Sequence, residues 1–154
     1  LDIMLLLCGP VKEVLGMIHT SSLHKLEAED FSGALLNFES GARGTLMAST
    51  THFPGSKEEI ILNCSEATVN ISGADLKIFY HDGKIEHLGS VSKTGSGSDP
   101  MDFSYAWHAS VLDDFWSEFT NGQKIQISAE SALPVHKLID TIINSSKLGK
   151  KVII

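Results

Sequence analysis

A chain of 154 residues with 42% hydrophobic and 20% charged content can bury a core and is too apolar to be disordered. Its net charge of −7, histidines counted neutral, argues against nucleic acid, whose phosphates need clustered Lys and Arg. No apolar run is long enough to cross a bilayer as a helix and no signal peptide is visible, so no membrane partner is expected; two cysteines that read as reduced thiols fit the expectation of a cytoplasmic protein.

The run Leu1 to Leu7 reads as the end of a buried helix, stopped by Gly9-Pro10 because glycine suits a left-handed cap and proline cannot continue. Opening inside an apolar helical run suggests a piece of a longer protein. Val11 to Thr20 alternates as a strand, with Val14, Gly16 and Ile18 on one face and Leu15, Met17 and His19 on the other. Ser21 to Asp30 is polar and reads as a loop.

Phe31 to Thr51 is a hairpin around which the rest is organised. Ala34, Leu36 and Phe38 share one face with Leu46 and Ala48 across the Ser40-Gly41 turn, leaving Leu35 and Met47 on the other. The polar run Ser49-Thr50-Thr51-His52 leaves the second arm at a Phe53-Pro54-Gly55 corner. Polar groups at a strand end are where a sheet can meet a ligand; a solvated strand terminus is the plainer reading. Glu58 to Cys64, Ala67 to Ser72, Leu76 to His81 and Lys84 to Leu88 read as four further strands, with Asp82-Gly83 as a tight turn. Strands so closely spaced must be largely antiparallel, since parallel pairing needs long crossovers.

Gly89 to Asp99 is Gly/Ser-rich and reads as a linker or loop. The period then changes. Trp107, Val111, Leu112, Phe115, Trp116 and Phe119 fall at three- and four-residue intervals, an amphipathic helix ended by Asn121-Gly122. Each large side chain buried is worth about 1.5–3 kcal/mol, so this helix is expected to lie on the sheet. Lys124 to Ile127 reads as a short strand. Ser128 or Ser131 caps a second helix with the stripe Leu138, Ile139, Ile142 and Ile143, and Pro134 is tolerated near its start. Gly149 ends it, and Val152 to Ile154 makes a last strand.

The chemistry is sparse. There is no GxSxG, no GxGxxG after a strand, no phosphate loop, no CxxC and no HExxH. His19 and His24, or His81 and His87, lack a ligand spacing, so no metal is expected. Cys8 and Cys64 sit among apolar residues and are expected to be buried, reduced thiols. The adjacent carboxylates Glu58-Glu59 and Asp113-Asp114 point apart and read as surface charge. Lys137, Lys147, Lys150 and Lys151 fit a solvated helix end. His108 lies at the edge of the first helix stripe, either as a boundary histidine or as a ligand-facing donor.

The tail from His108 to Ile154 resembles the end of the Gfo/Idh/MocA oxidoreductases, the family of glucose-fructose oxidoreductase and inositol dehydrogenase. The matching features are His108, Asp114-Phe115, Gly122, the strand from Ile125 to Ile127, and Ser145-Ser146-Lys147-Leu148-Gly149. The centre is similar too: Glu29-Asp30, then Leu36-Asn37-Phe38 and Ser40-Gly41-Ala42-Arg43-Gly44. Leu1-Asp2-Ile3 leading to Gly9-Pro10-Val11 resembles the segment that contains and succeeds the Asp of the family's His-x-x-Asp motif. One departure is Asn63-Cys64-Ser65-Glu66, where the family often has a Gly-x-x-Gly turn.

The resemblance implies an α+β fold, a mainly antiparallel sheet with helices packed on one face, forming one domain over residues 1–154. It implies a parent enzyme using NAD or NADP on a sugar, polyol or related alcohol, with homo-oligomers formed through the sheet. The nucleotide-binding domain and the catalytic Lys and His would lie upstream of Leu1, so no catalytic residue, cofactor site or activity is expected in this chain. Asp2, Ser49, Thr51, His52 and His108 match regions that commonly face the substrate. The competing expectation is a stand-alone α+β ligand-binding or dimerisation module.

Overall fold

The computed structural model describes residues 1–89, 105–126 and 128–154. The elements in order are α1 (Asp2–Cys8), β1 (Val11–His19), β2 (Phe31–Phe38), β3 (Arg43–Ser49), β4 (Glu59–Asn63), β5 (Ala67–Ser72), β6 (Asp75–Tyr80), β7 (Ile85–Leu88), α2 (Ala106–Thr120), α3 (Ala129–Leu148) and β8 (Val152–Ile153). The fold is α+β and every strand pairing is antiparallel, as the short connections require. The strands form two four-stranded sheets, ordered β3-β2-β1-β8 and β4-β5-β6-β7. The chain divides into two compact units, Leu1–Thr51 with Ala109–Ile154, and His52–His108.

In the first unit the hairpin is in the register its alternation demands, with Ala34 opposite Leu46 and Leu35 opposite Thr45. The core is Val11, Val14, Ala34, Leu36, Phe38, Leu138 and Ile142, one sheet face closed by α3. Val11 and Val14 are three residues apart yet both buried. A β-bulge between Val11 and Glu13 adds a residue there and returns both side chains to the same face.

Two features let α3 approach β1. A side chain at Gly16 would put its Cβ 2.5 Å from the Ile142 carbonyl oxygen, so only glycine admits the helix backbone. Beyond the two-residue β8, the edge of β1 is satisfied by hydroxyls. Ser145 Oγ accepts the Gly16 N–H (2.9 Å) and Ser146 Oγ accepts the Ile18 N–H (3.0 Å). The buried face of α3 runs Leu138, Thr141, Ile142 and Ser145, so Ile139 is not part of it and a serine completes it. Ser128 caps the helix, and Gly149 closes it in the left-handed conformation (φ 61°).

Four expectations are corrected here. Helix α2 buries none of its side chains; Trp116 is 65% exposed and Phe119 61%. Periodicity specifies a one-sided apolar face, but not which surface covers it. Helix α1 is not buried either, and only Met4, Leu5 and Cys8 lean on the core. Cys8 is half-buried and Cys64 exposed, because Cys64 falls in the β4–β5 connection rather than in a strand. Residues 124–126 form no strand; Ile127, and the Gly/Ser-rich stretch after Gly89, lie outside the described residues.

The second unit is a four-stranded meander, with Ile60 opposite Ile71 and Ile71 opposite Leu76, and Leu62 opposite Val69 and Val69 opposite Ile78. Its entry carries a cis peptide bond between Phe53 and Pro54.

Candidate functional site

The polar end of β3 is built on one buried carboxylate. Asp30 immediately precedes β2, is 2% exposed, and donates its N–H to the His19 carbonyl (3.1 Å). Its carboxylate accepts the Ser21 N–H (2.8 Å) and the Ser21 hydroxyl. These two donors, the hydroxyl first, hold the carboxyl below the ordinary carboxylate range against the opposing effect of burial. Paired in this way, a charge can remain inside. Ser21 Oγ also accepts the Leu23 N–H (3.2 Å), and the Thr20 hydroxyl donates to the Ala28 carbonyl (3.2 Å). The loop between β1 and β2 is therefore tied to Asp30 rather than free.

The main chain of Asp30 in turn holds the site. Its carbonyl accepts the Thr50 N–H (3.0 Å) and the Ser49 hydroxyl (3.1 Å). The Thr51 N–H donates to Ser49 Oγ (3.1 Å), a tight turn closed by a serine side chain, and the two hydroxyl oxygens are 2.8 Å apart. Ser49 is exposed and Thr51 half-buried. The structure thus brings Ser49 and Thr51 together, with Asp30 and Ser21 behind them.

The other expected site residues are placed separately. Asp2 is exposed in the first turn of α1. His52 opens the second compact unit and His108 closes it, both exposed. Among the described residues, no hydrogen bond or ion pair engages the Asp2, His52 or His108 side chain. Nor does any group of three His, Cys, Asp or Glu among them form a metal site. Ser21 was missed by sequence reasoning. Asp30 was noticed only as half of an acidic pair in a loop. The available signal was an acid directly before an apolar strand, nine residues after a serine.

The uncovered face of the first sheet offers a second feature. An open depression of about 420 Å³ is lined by Glu13, Leu15, Leu35, Asn37, Arg43 and Lys151, among others. The Lys151 ammonium (3.0 Å) and the Asn37 amide (2.7 Å) both engage the Glu13 carboxylate, Lys151 contributing most to lowering its pKa. Around it the face is apolar: Met17, Leu35, Met47 and Ile153 are each more than half exposed, Met47 at 77%.

The family model for the GFO/IDH/MocA C-terminal domain matches residues 1–70. Comparison with curated proteins finds no match. Among solved structures, 99% of this chain matches an oxidoreductase from Agrobacterium radiobacter in complex with NAD+, L-tartaric acid and magnesium, at TM-score 0.78 and 18% identity, covering 46% of that chain. Levoglucosan dehydrogenase in complex with NADH and levoglucosan matches 99% of this chain at TM-score 0.76 and 15% identity, with 47% of its own length covered. The aldose-aldose oxidoreductase from Caulobacter crescentus complexed with glycerol matches at 0.76 and 16%, with 99% of this chain and 44% of its own covered. The chain spans about half the length of the solved structures it matches.

Proposed function

Taking this chain as a C-terminal domain of the GFO/IDH/MocA kind, we propose that it is the substrate-facing and self-associating half of an NAD- or NADP-dependent oxidoreductase acting on a sugar, polyol or related alcohol. The observation that carries this reading is the end of β3, where Ser49 and Thr51 present paired hydroxyls on a backbone held by a buried carboxylate. Rigidly placed hydroxyls suit a polyhydroxylated ligand, because each ligand hydroxyl needs a partner of fixed direction. Asp2, His52 and His108 are the further proposed substrate-side groups.

Hydride exchange is the chemistry the nicotinamide supplies when bound. Among the described residues, no glycine-rich turn joins a strand to a helix to take its phosphates, and the first turn of α3 already uses Ser128 as its cap. The nucleotide site, with its Lys and His, is therefore assigned to a partner half of the parent, corresponding to the length of the similar structures that this chain does not span. The exposed stripe of α2 supports such a partner, since an apolar face of that size is unusual on a free surface. The apolar outer face of the first sheet supports self-association on the same ground.

The test is a backbone NMR titration of this chain with a panel of sugars and polyols, beside an absorbance assay with NAD and NADP. Saturable shifts at Ser49 to His52 with no cofactor reduction are expected. Absence of any shift there removes the substrate-facing role. Turnover by this chain alone overturns the division of labour.

A further inference from the structure

We infer that Ser49 is a positioning residue, and that it leaves the Thr51 hydroxyl as an acceptor only, so that the ligand must bring a hydrogen to Thr51 Oγ1. This rests on the proposal that the end of β3 faces the ligand, and adds which hydroxyl makes the contact and in which direction.

The argument is an account of hydrogens. A hydroxyl has one hydrogen and two lone pairs. The Asp30 carbonyl can only accept, and it lies 3.1 Å from Ser49 Oγ while also taking the Thr50 N–H. The hydrogen between them comes from Ser49. The Thr51 N–H fills one lone pair of Ser49 Oγ at 3.1 Å. Thr51 Oγ1 is 2.8 Å from the same oxygen, and with the Ser49 hydrogen spent, that bond forms only if Thr51 donates. Ser49 is then complete, with one bond given and two received. Thr51 Oγ1 has used its hydrogen and keeps two lone pairs on a half-buried residue.

The opposite arrangement, Ser49 donating to Thr51, would set two acceptor oxygens against each other at 3.1 Å with no hydrogen between them. The Asp30 carbonyl does not swing away to relieve that contact. Its residue is pinned by the His19 carbonyl at the N–H and by Ser21 at the carboxylate. A hydroxyl or ammonium hydrogen of the ligand is welcome at Thr51, whereas an ether or carbonyl oxygen placed there faces lone pairs.

Two arms test this. Without ligand, Ser49→Ala removes the acceptor of the Thr51 N–H, and its amide exchange should accelerate about tenfold or more, while Thr51→Val leaves the Thr50 amide as protected as before. With ligand, the chain is titrated by NMR with methyl α-D-glucoside and with the four analogues in which one hydroxyl is replaced by fluorine, which cannot donate. One analogue should bind about tenfold more weakly than the parent sugar. The difference should vanish in Thr51→Val, persist in Thr51→Ser, and shrink in Ser49→Ala, where Thr51 recovers its hydrogen. A purely structural role for Ser49 would weaken all five sugars alike, and that result overturns the inference. Equal binding of all five to the wild type, with shifts at Thr51, also overturns it but leaves the substrate-facing proposal standing. No shift at Ser49 to His52 with any of them removes that proposal and this inference together.

Discussion

Ser145 shows how much one polar atom can hold. Its hydroxyl is fully buried, accepts from Gly16 and donates to the Lys150 carbonyl (2.6 Å), joining β1, α3 and the turn into β8. Ser145→Ala leaves the part-buried Gly16 N–H and the Lys150 carbonyl without this partner, and should cost about 1–3 kcal/mol in urea unfolding. Gly16→Ala forces α3 off the sheet by its clash with Ile142 and should cost about 1–3 kcal/mol. Asp30 gives a pH signature. Its folded pKa is depressed by Ser21, so its stabilisation is complete above the unfolded carboxylate value and is lost as pH falls through the lower folded one. Asp30→Asn should therefore be less stable than wild type at neutral pH, and the gap should close in acid. A gap that stays constant down to the acid limb, measured by urea melts at several pH values, would show that the carboxylate charge is irrelevant.

The two long helices carry similar stripes and meet different fates. Leu138 and Ile142 of α3 enter the core, so Leu138→Ala should cost about 2–5 kcal/mol. The aromatic residues of α2 touch no core, and Trp116→Ala should change the stability of this chain by no more than about 0.5 kcal/mol. A loss of several kcal/mol at Trp116 would place α2 against the sheet after all. Chain patterning made both helices legible, down to the serine cap and glycine stop of α3. It could not tell them apart, because covering a face depends on a second surface distant in sequence. The same reason hid the exposure of α1 and Cys64. Each is apolar in sequence, but α1 meets the core only through Met4, Leu5 and Cys8, and Cys64 lies in a connection between strands.

The face of the first sheet opposite α3 carries Met17, Leu35, Met47 and Ile153 around the Glu13–Lys151 pair. If copies associate there, Met47→Lys should shift the molecule towards monomer in light scattering while leaving its urea midpoint unchanged, since Met47 is already in water within one chain. A wild-type chain that stays monomeric at high concentration removes that face as an association surface.

Alternation located the eight strands observed among the described residues and grouped Ala34, Leu36 and Phe38 on one face, and the short connections between them required antiparallel pairing. The sequence also marked the polar run Ser49 to His52 at a strand end. Only the tertiary structure decided that the strands split into two sheets, that a bulge brings Val11 inward, and that Ser21, Asp30 and Ser49 form one hydrogen-bonded line. Those outcomes depend on which distant backbone groups come within about 3 Å of each other, and hydrogen-bond partners far apart in sequence leave no periodic trace in it.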